Sequence, residues 1–228
     1  MSGGPAMVAI GSTANAEVSA SDAYSGLKTN PSGTYPINTS KSGDQTITKT
    51  AISNVGLETT KSCTTHVGYY VVVTGRVDRL VVRAGEAVEV TSTAKVEGSV
   101  TVKPEGALDI EGAKLKDGLA SSKAALLRVC GASIGGNVVE SKSPASTVFG
   151  EGTAECAGNT VGGTAGFKLN TGSVLVDGNS FAKNVLVSGN TSTTTVTNNK
   201  VTGNLTVKGN TGSTTDHPNE VTGKSKLQ

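Results

Sequence analysis

The chain has 228 residues, of which 35% are hydrophobic and 3% aromatic, with no Trp and a formal net charge of +2. So few bulky side chains cannot fill a compact globular core, whereas an elongated β fold with a thin core of Val, Leu, Ile and Ala is within their reach. The charges are scattered, with no Lys/Arg stripe and no aromatic platform, which gives nucleic-acid binding no footing. No apolar run approaches the length of a membrane span.

Residues 1–16 read MSGGPAMVAIGSTANA. They lack a basic n-region, yet Ala14-Asn15-Ala16 is an A-x-A pattern preceded by small and apolar residues. Two readings stand open here: the tail of a secretory signal, and an ordinary chain terminus. Residues 17–66 are rich in Ser, Thr, Gly and Lys, and alternating pieces such as Thr46-Ile47-Thr48 are too weak for a core of their own. The expectation for 1–66 is therefore a polar N-terminal segment of extended chain, either disordered or serving as an end cap or attachment arm.

The chain changes character at Val67, where the expected repeat domain 67–228 begins. Val77, Val96, Leu115 and Ile134 follow one another at 19 residues, and Val161, Phe181, Val201 and Val221 at 20. The step from Ile134 to Val161 is 27, and its extra residues fit a loop insertion at Glu140–Thr153, where Lys142, Ser143, Pro144 and Gly150 act as breakers. Within each period the residues alternate. Val88-Glu89-Val90, Leu108-Asp109-Ile110, Leu127-Arg128-Val129 and Val174-Leu175-Val176 occupy one equivalent place, and Leu80-Val81-Val82, Val100-Thr101-Val102 and Leu205-Thr206-Val207 another. Their outer members face inward by the two-residue period of a strand. Three short strands in about 20 residues make one coil of a parallel β-helix. The fold class is thus all-β, a right-handed solenoid of roughly eight coils and about 40 Å at about 4.8 Å per rung.

Asparagines punctuate the second half at Asn159, Asn170, Asn179, Asn190, Asn199, Asn210 and Asn219, in alternating gaps of 11 and 9. Asn tolerates the left-handed backbone of a sharp turn, and its amide can bond the Asn of neighbouring rungs, so this is a structural ladder. The candidate ligand face is the outward column Glu89, Asp109 and Arg128, because clustered carboxylates with a base on one face are what polysaccharide chemistry requires. Rung-to-rung charge pairing on a solvated face is the alternative. His66 and His217 fall in end or turn regions without a nucleophile partner. Cys63, Cys130 and Cys156 form no recognised metal spacing. The register places Cys156 inward and Cys130 outward, which argues against a rung-to-rung bridge and makes Cys156 a small buried apolar residue. No cofactor, metal site or catalytic residue is expected.

Units such as Val201-Thr-Gly-Asn-Leu-Thr-Val-Lys-Gly-Asn210 and Asn219-Glu-Val-Thr-Gly223 give residues 63–228 a resemblance to a group of secreted bacterial proteins with repeated GN-V-x-V-x-G-N units. That resemblance implies a right-handed parallel β-helix and a bridge between cysteines at the two ends of the repeat region. Cys63 matches the first position, whereas Ser225-Lys226-Leu227-Gln228 supplies no Cys at the second. At the level of fold the chain also looks like pectate-lyase-type enzymes, phage tailspikes and bacterial adhesins. The functional expectation is a non-enzymatic, secreted or cell-surface rod for adhesion or assembly. Its partners would be glycans, cell-wall polysaccharide or further copies meeting through the helix ends or the N-terminal segment. A polysaccharide-binding or polysaccharide-cleaving protein and a virion or filament component are the alternatives.

Overall fold

The computed structural model describes residues 7–40 and 42–228. The chain divides into two compact units, one ending at Tyr69 and the other running from Tyr70 to Gln228. The first six residues of the candidate signal remnant lie outside the described residues.

The first unit has more structure than its composition promises. Its strands are β1 (Met7–Ala9), β2 (Asn15–Val18), β3 (Leu27–Thr29), β4 (Gly33–Pro36), β5 (Gly43–Ser53) and β6 (Glu58–Gly68). Four of them form a sheet in the order β1-β6-β5-β3, and β2 pairs antiparallel with β4. β5 and β6 make a long hairpin in register from Gly43↔Val67 to Ile52↔Glu58. One face of that hairpin is zipped by hydroxyl pairs, Thr46 with Thr64 at 2.9 Å, Thr48 with Ser62 at 2.7 Å and Thr50 with Thr60 at 2.7 Å. A small core does exist: Val8, Ile10, Ala16, Val18, Ile37 and Val67 are buried. Cross-strand Thr–Thr and Thr–Ser pairing supplies what the missing bulky residues do not. Asn15 and Ala16 of the A-x-A triplet therefore lie inside a paired strand.

The second unit is a parallel β-solenoid of about eight turns. Its first coil consists of β7 (Val71–Val73), β8 (Arg76–Val77) and β9 (Leu80–Val82), and each strand starts an eight-stranded parallel sheet. The second sheet carries the inward column Val77, Val96, Leu115, Ile134, Val161, Phe181, Val201 and Val221 in unbroken register. The periodicity of the sequence is therefore the coil period. All three phenylalanines meet in the middle of the core, Phe149 edge-on to Phe167 at 5.2 Å and stacked with Phe181 at 6.1 Å.

The insertion lies elsewhere than expected. Val138–Ser141 and Thr147–Glu151 are ordinary rungs of the third and first sheets. The interval from Ser141 to Thr147 equals that from Lys168 to Val174 one coil later, so Lys142-Ser143-Pro144 is a regular corner and not a break. The additional residues fall between Glu151 and Thr160. This shift also overturns the cysteine reading. Cys156 sits in the inserted loop, which folds back to form a disulfide with Cys130 across 26 residues of sequence, leaving Cys63 free. A non-reducing peptide map should join the Cys130 and Cys156 peptides, while a thiol reagent labels Cys63 alone. Labelling of Cys156 in the folded, unreduced protein would contradict the assignment.

The ladder asparagines do not adopt the left-handed backbone themselves. The residue before most of them does: Leu169 (φ 57°), Gly178 (φ 71°), Gly189 (φ 68°), Asn198 (φ 55°) and Gly209 (φ 63°). The asparagines instead point inward and, apart from the half-buried Asn219, are buried. Two ladders run in parallel. Asn159, Asn179, Asn199 and Asn219 form one, and each main-chain N–H donates to the amide oxygen of the next asparagine at 2.8–3.0 Å. Asn170, Asn190 and Asn210 form the other, continued by Gln228, whose Oε1 accepts from Asn210 N at 2.8 Å. A third, unforeseen ladder marks the exposed corner, where Asn204 N donates to Asn184 Oδ1 and Lys224 N to Asn204 Oδ1. Leu169 is the strained member of the left-handed column, since a branched side chain disfavours positive φ. Its side chain is exposed, so Leu169→Gly removes strain without leaving a hole. A gain of about 1 kcal/mol in urea unfolding is expected.

Candidate functional site

Parallel register places Glu89 beside Asp109 and Asp109 beside Arg128, so the three residues form one column on successive rungs of the first sheet. Above Arg128 the column turns apolar with Val148 and Leu175, which confines the charged patch to three coils. The alternation that points Asp109 outward also brings Glu111 to the same side. The column as read from sequence omitted Glu111, although that same period could have found it.

Arg128 organises the patch. Its Nη1 donates to both oxygens of Asp109 at 3.0 Å and to Glu111 Oε1 at 2.8 Å, and its Nη2 reaches Glu155 O of the inserted loop at 3.3 Å. The Asp109 side chain is 4% exposed and that of Arg128 26%, so this ion pair is largely withdrawn from water. Burial alone would weaken the guanidinium's hold on its proton. Glu111 and Asp109 outweigh burial and raise it. Glu89 stands one rung away and its carboxyl is pushed up, first by burial and then by the charges of Glu111 and Asp109. Two carboxylates, Asp109 and Glu111, thus share one cation, while Glu89 lies beyond Asp109 without one. Removing that cation deprives a buried carboxylate of its guanidinium partner, which is more costly than losing a surface pair. Arg128→Met should lower unfolding stability by about 2 kcal/mol, and Asp109→Asn in the same background should restore part of it.

His66 and His217 lie at the surface, each beside an aspartate, Asp44 at 2.9 Å and Asp216 at 3.4 Å. Among the described residues no group of three or more His, Cys, Asp or Glu side chains is placed to hold a metal ion. Among the described residues no helix is long and apolar enough to cross a membrane.

A second polar cluster lies inside the solenoid, where the inward position of the third sheet reads Val82, Val102, Ser121, Glu140 and Phe167. Glu140 is fully buried. Its Oε2 accepts from Asn170 Nδ2, and Asn170 is thereby the one member of its ladder whose amide is turned toward a carboxyl group. Glu140 Oε1, Ser121 Oγ and Thr147 Oγ1 are buried without a hydrogen-bond partner. Burial pushes the Glu140 carboxyl up, while the hydrogen bond from Asn170 pulls the other way. Sequence reading assigned Glu140 to the edge of a loop and so missed that it is inside.

No family model matches the chain, no curated protein matches it, and no solved structure matches it. Fold and site together define a parallel β-solenoid with an ion-paired charged column on one face.

Proposed function

We propose that the chain is a non-catalytic, secreted or cell-surface rod that holds a surface to glycans or cell-wall polysaccharide. The observation that carries this reading is the state of Arg128. A base that removes a proton from a bound sugar must be free to face it, and a pair of carboxylates working on a glycosidic bond must be open to the substrate. Here Arg128 is engaged by Asp109 and Glu111, and Asp109 is closed beneath it. The column therefore braces three coils, which favours binding and scaffolding over cleavage. The likeness to secreted bacterial proteins with GN-V-x-V-x-G-N units belongs to the same reading.

The test is co-sedimentation of the full chain with insoluble polysaccharides and with bacterial cell-wall sacculi, while soluble acidic polysaccharides are followed for chain scission. Retention on at least one surface without scission is the expected result. Scission that disappears in Arg128→Met would overturn the reading in favour of an enzyme. Failure to sediment with any surface would remove adhesion.

A further inference from the structure

The N-terminal unit contains a feature that the rod reading does not use. A groove of about 670 Å³ opens between the segment 18–31 and one face of the β5–β6 hairpin. Lys49 and Lys61 both line it, and they are directly opposed cross-strand partners. Like charges so placed repel one another and destabilise the hairpin unless something negative lies between them. Among the described residues neither lysine makes an ion pair. The Lys49 ammonium sits 3.6 Å from the centre of the Tyr35 ring, which holds it in place without neutralising it. The groove's own carboxylate, Asp22, is turned into its local turn. It accepts from the main-chain N–H groups of Tyr24 and Ser25 and from Ser25 Oγ, and these bonds hold its carboxyl below the usual range. The groove therefore keeps a net positive charge.

Its remaining walls describe the rest of a ligand. Tyr24 is fully exposed and Leu57 largely so, and both border the groove. A bare aromatic face beside hydroxyl groups such as Ser21 and Thr59 suits a ring with one apolar face and a polar rim. We infer that this groove binds a small saccharide anion, with its phosphate or carboxylate between Lys49 and Lys61 and its ring on Tyr24. The inference rests on residues outside the solenoid, so its failure leaves the rod reading standing.

Titration of the full chain with glucose 1-phosphate, galacturonate and neutral glucose, followed by Tyr fluorescence and calorimetry, tests it. At least one anion should bind with millimolar or better affinity and glucose should not, and the two anionic arms report which group is preferred. Lys61→Glu replaces the repulsive pair by an attractive one. It should weaken anion binding by about tenfold or more while leaving the melting midpoint unchanged or higher. Tyr24→Ala should weaken binding of the same anion with no change in its salt dependence. Absence of binding by both anions, equal binding of glucose, or undiminished binding in Lys61→Glu would each overturn the proposal.

Discussion

Asn179→Ala should lower the stability of the solenoid by about 4 kcal/mol in urea unfolding, the largest effect expected of any single ladder substitution. The size follows from counting the groups that lose partners. Asn179 Oδ1 accepts from both the main-chain N–H and the Nδ2 of Asn159, and its own Nδ2 donates to Phe149 O, Asp177 O and Asn199 Oδ1. Truncation leaves the Asn159 main-chain N–H and the Phe149 carbonyl unpaired inside the rod. Each orphaned buried group costs about 1–3 kcal/mol. Asn179→Asp separates the two halves of the amide's role, because a carboxylate still accepts from Asn159 but cannot donate to Phe149. It should be destabilising as well, and more so at neutral than at acid pH. Asn198→Gly, beside the next ladder member Asn199 and exposed, should change stability by less than about 1 kcal/mol. Equal effects at the two positions would show that the ladder contributes nothing beyond turn propensity.

Glu140→Gln should make the protein more stable at pH 7, with the gain shrinking as the pH is lowered toward 4. The direction follows from linkage. The folded carboxyl titrates above its unfolded value because burial disfavours the charge. At a pH below the unfolded value of about 4.3 both states hold the proton and the group contributes no penalty. As pH rises toward the folded value, unfolding releases a proton and stability falls by about 1.4 kcal/mol per unit, then levels off once the folded group also ionises. Glutamine keeps the shape and the acceptor for Asn170 Nδ2. It also adds an N–H₂ that can serve the unpaired Ser121 and Thr147 hydroxyls, and it does not titrate. Urea midpoints from pH 4 to pH 8 for the two proteins decide the matter. Parallel curves would mean that Glu140 gains a counter-charge or water that cancels its burial.

How much of this could be read from the residues alone depended on whether inward positions were apolar. The column from Val77 to Val221 announced the coil because every member is Val, Leu, Ile or Phe. The third sheet was legible only in part. Its inward positions in the middle of the rod are Ser121 and Glu140, so the alternation that marks a buried strand failed where the core is polar. Lys142-Ser143-Pro144 looked like an interruption because its composition is that of a loop, yet solenoid corners are themselves built from turn residues, as Lys103-Pro104-Glu105-Gly106 is two coils earlier. Moving the insertion into that corner shifted the register of everything up to Asn159, and with it the side on which Cys156 was expected. Glu89, Asp109 and Arg128 fall in one register column because they precede the irregular step. What spacing could not convey is that Arg128 reaches two carboxylates at once, since that depends on side-chain length and on the loop that lies against it.

A solenoid yields one coil at a time, each resting only on its neighbours, so a pull on either end would ordinarily peel it like thread from a bobbin. The Cys130–Cys156 bridge is a stitch through that thread. It ties the fourth rung of the first sheet to the loop that follows the fifth, so peeling from the C-terminal side must stop with residues 130–156 still closed in a ring. In an oxidising medium the rod therefore has a length beyond which tension cannot draw it out, and a reductant lengthens that limit without touching any coil on either side.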